Sequence, residues 1–277
     1  MKRARGKKMI KMNPVARQRA WLFFFLFLSS SGLAEAISIS VAPIRVEHNV
    51  PPGGSLTEAI SIVNDNTSAV HIRMKIEDWS LTRDGAIDFG SGGSRPFSAS
   101  PWIRVNPREF DLSPGQSQLV RYALTVPKDA VPGGYRAAIV FATVPRPNPG
   151  EKQKRLMLEG RIATILYETV GTPAPSGEIT NLSFRVNPEG KPEFAISFQN
   201  TGKVHIRTHG EIQIRDTGGK EVGKVPLPDL PVLPQSSRDF QVAWEGKLPS
   251  GEYVVELQMD IGRKELIAGE RKFSIPE

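Results

Sequence analysis

Apolar and polar residues alternate one by one along most of this chain, and a helix of ordinary amphipathicity cannot be built on that period. Val70, Ile72, Met74 and Ile76 share one face of an extended segment, while His71, Arg73, Lys75 and Glu77 share the other. Successive side chains of a strand point to opposite sides, so such a run has one buried and one wet face. The same period recurs at 37–41, 56–63, 179–186, 193–198, 210–215, 238–244 and 253–259. Turn-forming clusters separate the runs: Pro51-Pro-Gly-Gly54, Asn64-Asp-Asn66, Arg83-Asp-Gly85 and Ser113-Pro-Gly115. With 25 Gly and 23 Pro there is little room for long helices. Many short strands divided by turns predict an all-β sandwich or barrel.

The stretch Gly171-Thr-Pro-Ala-Pro-Ser-Gly177 has no apolar residue larger than alanine or proline and reads as a linker. The expected organisation is therefore a strand-rich domain over 37–170, a linker over 171–177 and a smaller strand-rich domain over 178–277. The two halves share a rough grammar. Each has an apolar strand that ends in an Asn-containing turn, at Asn64-Asp-Asn66 and at Asn200-Thr-Gly202. Each later has a glycine turn leading to tyrosine, at Pro132-Gly-Gly-Tyr135 and Pro249-Ser-Gly-Glu-Tyr253.

Residues 1–36 read as a secretory signal. Eight basic residues precede the short apolar run Ala20–Leu28, which is followed by Ser29, Ser30, Ser31 and a small-x-small site at Ala34-Glu35-Ala36. A bilayer-spanning helix needs about 20 apolar residues, so cleavage after Ala36 and a periplasmic location are expected. The 36 Lys and Arg and 29 Asp and Glu of the whole chain then fall to 28 of each. The remainder is formally neutral, which gives no support for a nucleic-acid partner. There is no cysteine, hence no disulfide, thiolate metal site or cysteine nucleophile.

No catalytic or cofactor pattern emerges. His205 and His209 are four apart, a spacing that pairs ligands on a helix but not on a strand, and the four histidines read as surface or turn residues. Gly90-Ser-Gly-Gly-Ser94 has the wrong order for a serine-nucleophile elbow. Asp78, Asp84 and Asp88 cluster around a hairpin, where aspartate is common. The expectation is a protein that is not an enzyme and needs no cofactor or metal. Trp79 and Trp102 are expected in a core; exposed, they would suit stacking on a ligand.

Residues 37 to about 170 carry a series of segments in a telling order. The strand Ser40-Val-Ala-Pro-Ile-Arg-Val46 comes first, then an apolar strand into Asn64-Asp-Asn66, then Pro101-Trp-Ile-Arg-Val-Asn-Pro and Leu112-Ser-Pro-Gly-Gln-Ser-Gln-Leu-Val-Arg121. Gly134–Phe141 and Arg161–Tyr167 close the series. This order resembles the N-terminal domain of PapD-like periplasmic pilus chaperones. The resemblance implies two immunoglobulin-like β-sandwich domains in tandem and capture of a secreted or pilin-like subunit by strand addition, with an outer-membrane usher as a further partner. The family's first basic cleft residue falls at Arg45, where a guanidinium can grip a carboxylate. Its second, a lysine, falls at Thr164, which has no charge to offer, and Arg161 lies three residues away. Leu156 and Leu158 supply the apolar face of the donor strand. The segments also resemble the WxL-interacting cell-surface proteins, through Asp78-Trp79, Trp102 and Gly133-Gly-Tyr135. That likeness implies a cell-envelope binding module for peptidoglycan or a surface protein.

Overall fold

The computed structural model describes residues 38–144, 159–189 and 191–276. The expected signal segment and the two leucines at 156 and 158 lie outside the described residues. The chain is all-β, in two immunoglobulin-like sandwiches, and its only helical turn among the described residues is a 3-10 turn at Ser100–Trp102. The first sandwich has one sheet ordered β1 (Ile39–Ala42), β3 (Ser55–Asn64), β8 (Ser117–Thr125), β6 (Ile103–Asn106). Its second sheet is ordered β2 (Arg45–Val50), β10 (Arg161–Val170), β9 (Gly133–Thr143), β4 (Val70–Leu81), β5 (Ile87–Ser91), and β7 (Glu109–Leu112) also pairs with β4. The second sandwich sets β11 (Gly177–Val186), β12 (Pro192–Asn200) and β17 (Ser237–Ala243) in one sheet. In the other stand β15 (Glu221–Pro226), β14 (His209–Asp216), β18 (Gly251–Asp260) and β19 (Ile267–Ile275). A short pair, β13 (Ile206–Arg207) with β16 (Pro231–Val232), lies at its side.

The alternation puts the expected residues inside. Ile72 and Met74 of β4 are buried against Ile60, Val120, Ile139 and Leu166, and Val70 and Ile76 pack at the margin. A separate core gathers Phe194, Phe198, Ile212, Leu257 and Phe273. The opening strand, read from sequence as one element, is in fact two. At Pro43, which follows a cis peptide, the chain leaves β3 and crosses to pair in parallel with β10. Proline has no N–H to place in a ladder, so it suits the crossover.

The shared grammar of the halves has a structural meaning. Asn64 is fully buried; its Nδ2 donates to the carbonyls of Ser68 (2.8 Å) and Leu112 (2.9 Å), and its Oδ1 accepts from the N–H of Asn66 at 3.0 Å. Asn200, equally buried, donates to the carbonyls of Val204 (2.8 Å) and Val232 (2.9 Å) and accepts from the N–H of Gly202 at 2.9 Å. Each carboxamide thus closes its own turn and ties it to a second one that starts at Ser113 or Leu233. The tyrosines match too. Tyr135 donates to the carbonyl of Val131 (2.9 Å) and Tyr253 to that of Pro249 (2.8 Å), each four residues upstream. This is the tyrosine-corner device of immunoglobulin-like domains.

A buried charge cluster links the two sheets of the first sandwich. Glu168 of β10 is fully buried, and His48 Nδ1 of β2 stands 3.1 Å from both its oxygens. His48 Nε2 is 3.1 Å from Glu58 Oε2 on β3, which also accepts from Tyr122 of β8 at 2.8 Å. Burial pushes the His48 pKa down, but the hydrogen bonds and charges of Glu168 and Glu58 outweigh it and hold the ring above its ordinary value. A raised histidine stabilises the fold fully below the unfolded value of about 6.5, and that contribution is lost as pH rises through the folded value. Unfolding free energy should therefore fall as pH climbs above about 6.5, by at most about 1.4 kcal/mol per pH unit. Urea midpoints across that range check it; in His48→Gln the slope should vanish.

Candidate strand-addition edge and cleft

Strand β10 is paired unevenly. Arg161–Val170 run antiparallel to β9 over their whole length, from Arg161 opposite Ala142 to Val170 opposite Gly133. On the other side, β2 pairs only from Ile165 onward, opposite Arg45. Among the described residues, Arg161–Thr164 have no strand on that side. The N–H of Thr143 donates to the carbonyl of Gly160 at 2.9 Å, so the backbone of Gly160 faces β9. Strand groups alternate sides, so Arg161 and Ala163 turn their N–H and C=O toward the open side. Ile165 is next in that alternation, and its N–H already donates to Ile44 at 2.9 Å. The open edge therefore ends where β2 begins, and Arg45 stands at its end. Unpaired edge groups are a template for another strand.

Thr164 needs correction. The residue set into the partner-facing group by sequence is fully buried, and its hydroxyl donates to the carbonyl of Pro43 at 2.7 Å. It pins the sheet crossover and cannot touch a partner through its side chain. Ile162, Thr164, Leu166 and Glu168 point into the sandwich, whereas Arg161, Ala163, Ile165 and Tyr167 lie on the outer face. Arg161 therefore shares its face with Arg45. It pairs with Glu77 at 2.6 Å and lies 5.7 Å above the Phe89 ring. Arg45 is half exposed and 3.4 Å from Glu47.

Around these cations the outer face is apolar and open. Ile44 is 66% exposed, Ile87 50% and Phe89 37%. A cleft of about 700 Å³ opens beside Arg45, lined by Ile44, Leu81, Ile87, Ile165 and Tyr167 on one wall and by Pro231 and Arg238 on the other. The second sandwich covers the rest of the face. Trp79, Ala138, Val140, Tyr167 and Leu233 form a buried apolar cluster across the junction. Trp79 is thus a core residue, and its indole donates to the carbonyl of Ala137 at 3.0 Å. Trp102 is half buried against Tyr135, their rings 4.4 Å apart.

Two of the histidines depart from the surface positions expected of them. His48 sits in the charge cluster, and His205 is mostly covered, between the Tyr167 ring (4.5 Å) and Glu47 (3.5 Å). Burial pulls the His205 pKa down despite Glu47. Glu47 also lies 3.6 Å from Arg207, which in turn forks onto Asp229 at 2.6 Å. The hairpin acids have structural partners. Asp78 is buried and accepts from Ser98 (2.5 Å), Ser100 (2.6 Å) and the N–H of Arg95 (2.8 Å), which outweigh burial and keep its pKa low. Asp84 accepts from Thr82, and Asp88 pairs with Arg95 at 2.7 Å.

Arg136 and Arg238 escaped the sequence reading. Both are buried, with Nη1 of Arg136 and Nε and Nη1 of Arg238 left without an acceptor. A signal was present for the second: Arg238 occupies the apolar register of β17, in step with Phe240 and Val242.

No protein-family model and no curated protein matches the sequence. Among solved structures, the chain is similar to the class 5 fimbriae chaperone CfaA at a TM-score of 0.47 and 13% identity, covering 84% of this chain and 99% of that one. It is similar to the E. coli chaperone DraB at 0.42 and 16%, covering 87% and 98%. It is also similar to a structure of the Salmonella enterica SafA pilin in complex with the SafB chaperone, at 0.42 and 13%, covering 85% and 97%.

Proposed function

We propose that this chain is an exported, non-enzymatic chaperone that binds an extended segment of a partner polypeptide by β-strand addition along Arg161–Thr164. The observation that carries this reading is the half-paired β10. Among the described residues, its outward N–H and C=O groups at Arg161 and Ala163 face no strand on the open side. A peptide laid there gains main-chain bonds from the edge and apolar contact from its flank. Its course ends at Ile44 and Arg45, where a guanidinium offers a charge-assisted bond to an anionic group. The partner that suits an exported protein of this build is a pilin-like or surface-assembled subunit, met in the periplasm. Recognition of peptidoglycan by aromatic stacking gains no support, because Trp79 is buried.

Ala163→Pro tests the edge directly. Proline removes an N–H that meets no acceptor among the described residues, so folding should change little. Capture of a co-expressed subunit, measured by affinity co-purification from the periplasm, should fall at least about tenfold, the loss of one or two backbone bonds. Undiminished capture would place the partner elsewhere.

A further inference from the structure

We infer that His205 is an acid-operated latch between the two sandwiches: on gaining a proton it frees its end of their seam, and the second sandwich pivots about the other end. This goes beyond strand addition, because it concerns the seam and not the edge of β10. The seam crosses the outer face of one sheet of the first sandwich, in the order β2, β10, β9, β4. At the β2 end, Glu47 stands 3.5 Å from His205 and 3.6 Å from Arg207, both from the second half of the chain. In the middle lie Tyr167, Ala138 and Trp79, with Leu233 packed among them. At the far end, the 83–85 turn between β4 and β5 holds β17. Arg83 forks onto Asp239 at 3.0 Å through each of two nitrogens, and the Asp239 N–H donates to the Arg83 carbonyl at 2.7 Å. A second backbone bond crosses the seam beside His205, from the Gly134 N–H to the Lys203 carbonyl at 2.5 Å. The fit there is close, since a β-carbon on Gly134 would stand 3.1 Å from the His205 backbone nitrogen.

The two ends answer acid differently. The His205 side chain is 11% exposed, and its Nδ1 is buried without a partner. The ring rests on Tyr167 of β10, whose hydroxyl keeps its proton because burial pushes its pKa up to about 12. The charged groups that face the ring are Glu47 and Arg45 of β2 and Arg207 of β13, while β9 presents Gly134. Glu47 is the carboxylate of this set, and Arg45 and Arg207 already share it. Asp229 is turned to Arg207 and to the exposed His209. A proton on His205 therefore sets a third cation on one carboxylate and leaves a buried N–H at Nδ1 without an acceptor, which is costly. Burial, with the charges of Arg207 and Arg45, holds the ring pKa below its ordinary value although Glu47 pulls the other way. The closed seam keeps this contribution above about pH 6.5 and loses it as pH falls through the lower folded value. At the far end, the hydrogen bond from Arg83 holds Asp239 below the usual carboxylate range, so that pair stays charged where His205 has taken its proton.

Two amides that cross the seam report its ends, Gly134 beside His205 and Asp239 at the turn. Their hydrogen-exchange protection, corrected for the intrinsic effect of pH, is measured on the full exported chain between about pH 8 and about pH 5, the range in which histidine titrates. In the wild type, protection of Gly134 should fall at least about tenfold in acid, while that of Asp239 should hold. Amides of Ile139 and Leu257, one in each core, should stay protected throughout, which separates pivoting from unfolding. His205→Phe keeps a ring on Tyr167 without a proton site, and its Gly134 protection should not depend on pH. His205→Lys should lose that protection at both ends of the range. Should His205→Phe not fold, the NMR titration of the wild-type ring decides, with a pKa below about 6.5 that coincides with the loss at Gly134. Unchanged protection of Gly134 in acid, the same loss in His205→Phe, an equal loss at Asp239, or a ring pKa above about 6.5 would overturn the latch.

Discussion

Replacing Trp79 by alanine should lower the unfolding free energy by about 3–5 kcal/mol, the range for emptying a large aromatic site in a core. The indole is 1% exposed and meets the Tyr167 ring edge-on, with centroids 5.1 Å apart. It belongs to a buried apolar cluster that contains residues of both sandwiches, through Leu233. The effect should thus go beyond stability. With the indole gone, Leu233 and Tyr167 lose their common neighbour, and the carbonyl of Ala137 loses the indole donor. Urea denaturation measures the first effect, and limited proteolysis within 171–176, the segment joining β10 to β11, measures the second. Trp79→Phe should recover most of the packing but not the bond to Ala137. A loss below about 1 kcal/mol would mean that the junction is not cemented there.

The second large effect should fall on the asparagine clasps. Asn64→Ala removes four hydrogen bonds, one of them from the Asn66 side chain, and Asn200→Ala removes three; at about 1 kcal/mol apiece, with backbone groups left unsatisfied, the costs should be about 4 and about 3 kcal/mol. Asn64→Asp is the sharper variant. It keeps the shape and the acceptor but turns oxygen toward the carbonyls of Ser68 and Leu112. It should cost at least as much as alanine near neutral pH and recover partly in acid, when the carboxyl gains a proton. The effect at 64 should be slightly the larger, because the two clasps share the same backbone pattern and Asn64 also accepts from Asn66 Nδ2 at 2.7 Å.

These clasps were half visible beforehand. Alternation and turn chemistry expose strands, faces and the parallel Asn and Tyr positions, because all of these are local. What alternation cannot say is which sheet a strand joins. The apolar residues of the opening segment change parity across Pro43, from Ile39 and Val41 to Ile44 and Val46, and Val41 and Val46 belong to different sheets. Parity could have corrected Thr164. It stands three residues from Tyr167, an odd step, so in a regular strand the two must face opposite ways. With Tyr167 turned to the cleft, Thr164 has to face the core. The burial of Trp79, Arg136 and His205 lay beyond local reading. Trp79 sits on the outer face of β4 and is covered where Leu233 of the second sandwich packs, Arg136 lies beside the 97–99 segment that bonds to its backbone, and His205, from the second half of the chain, is covered by Tyr167 of β10.

Strand addition depends on the open side of β10, and amide exchange at Arg161 and Ala163 examines it most directly. The measurement compares the full chain alone with the same chain in complex with its co-purified subunit. Free, these two amides should exchange quickly while Ile162 and Ile165, bonded to β9 and to Ile44, are protected; in the complex Arg161 and Ala163 should become as slow as their neighbours. Exchange at these two positions unchanged in the complex, with new protection on another surface, would contradict strand addition at this edge.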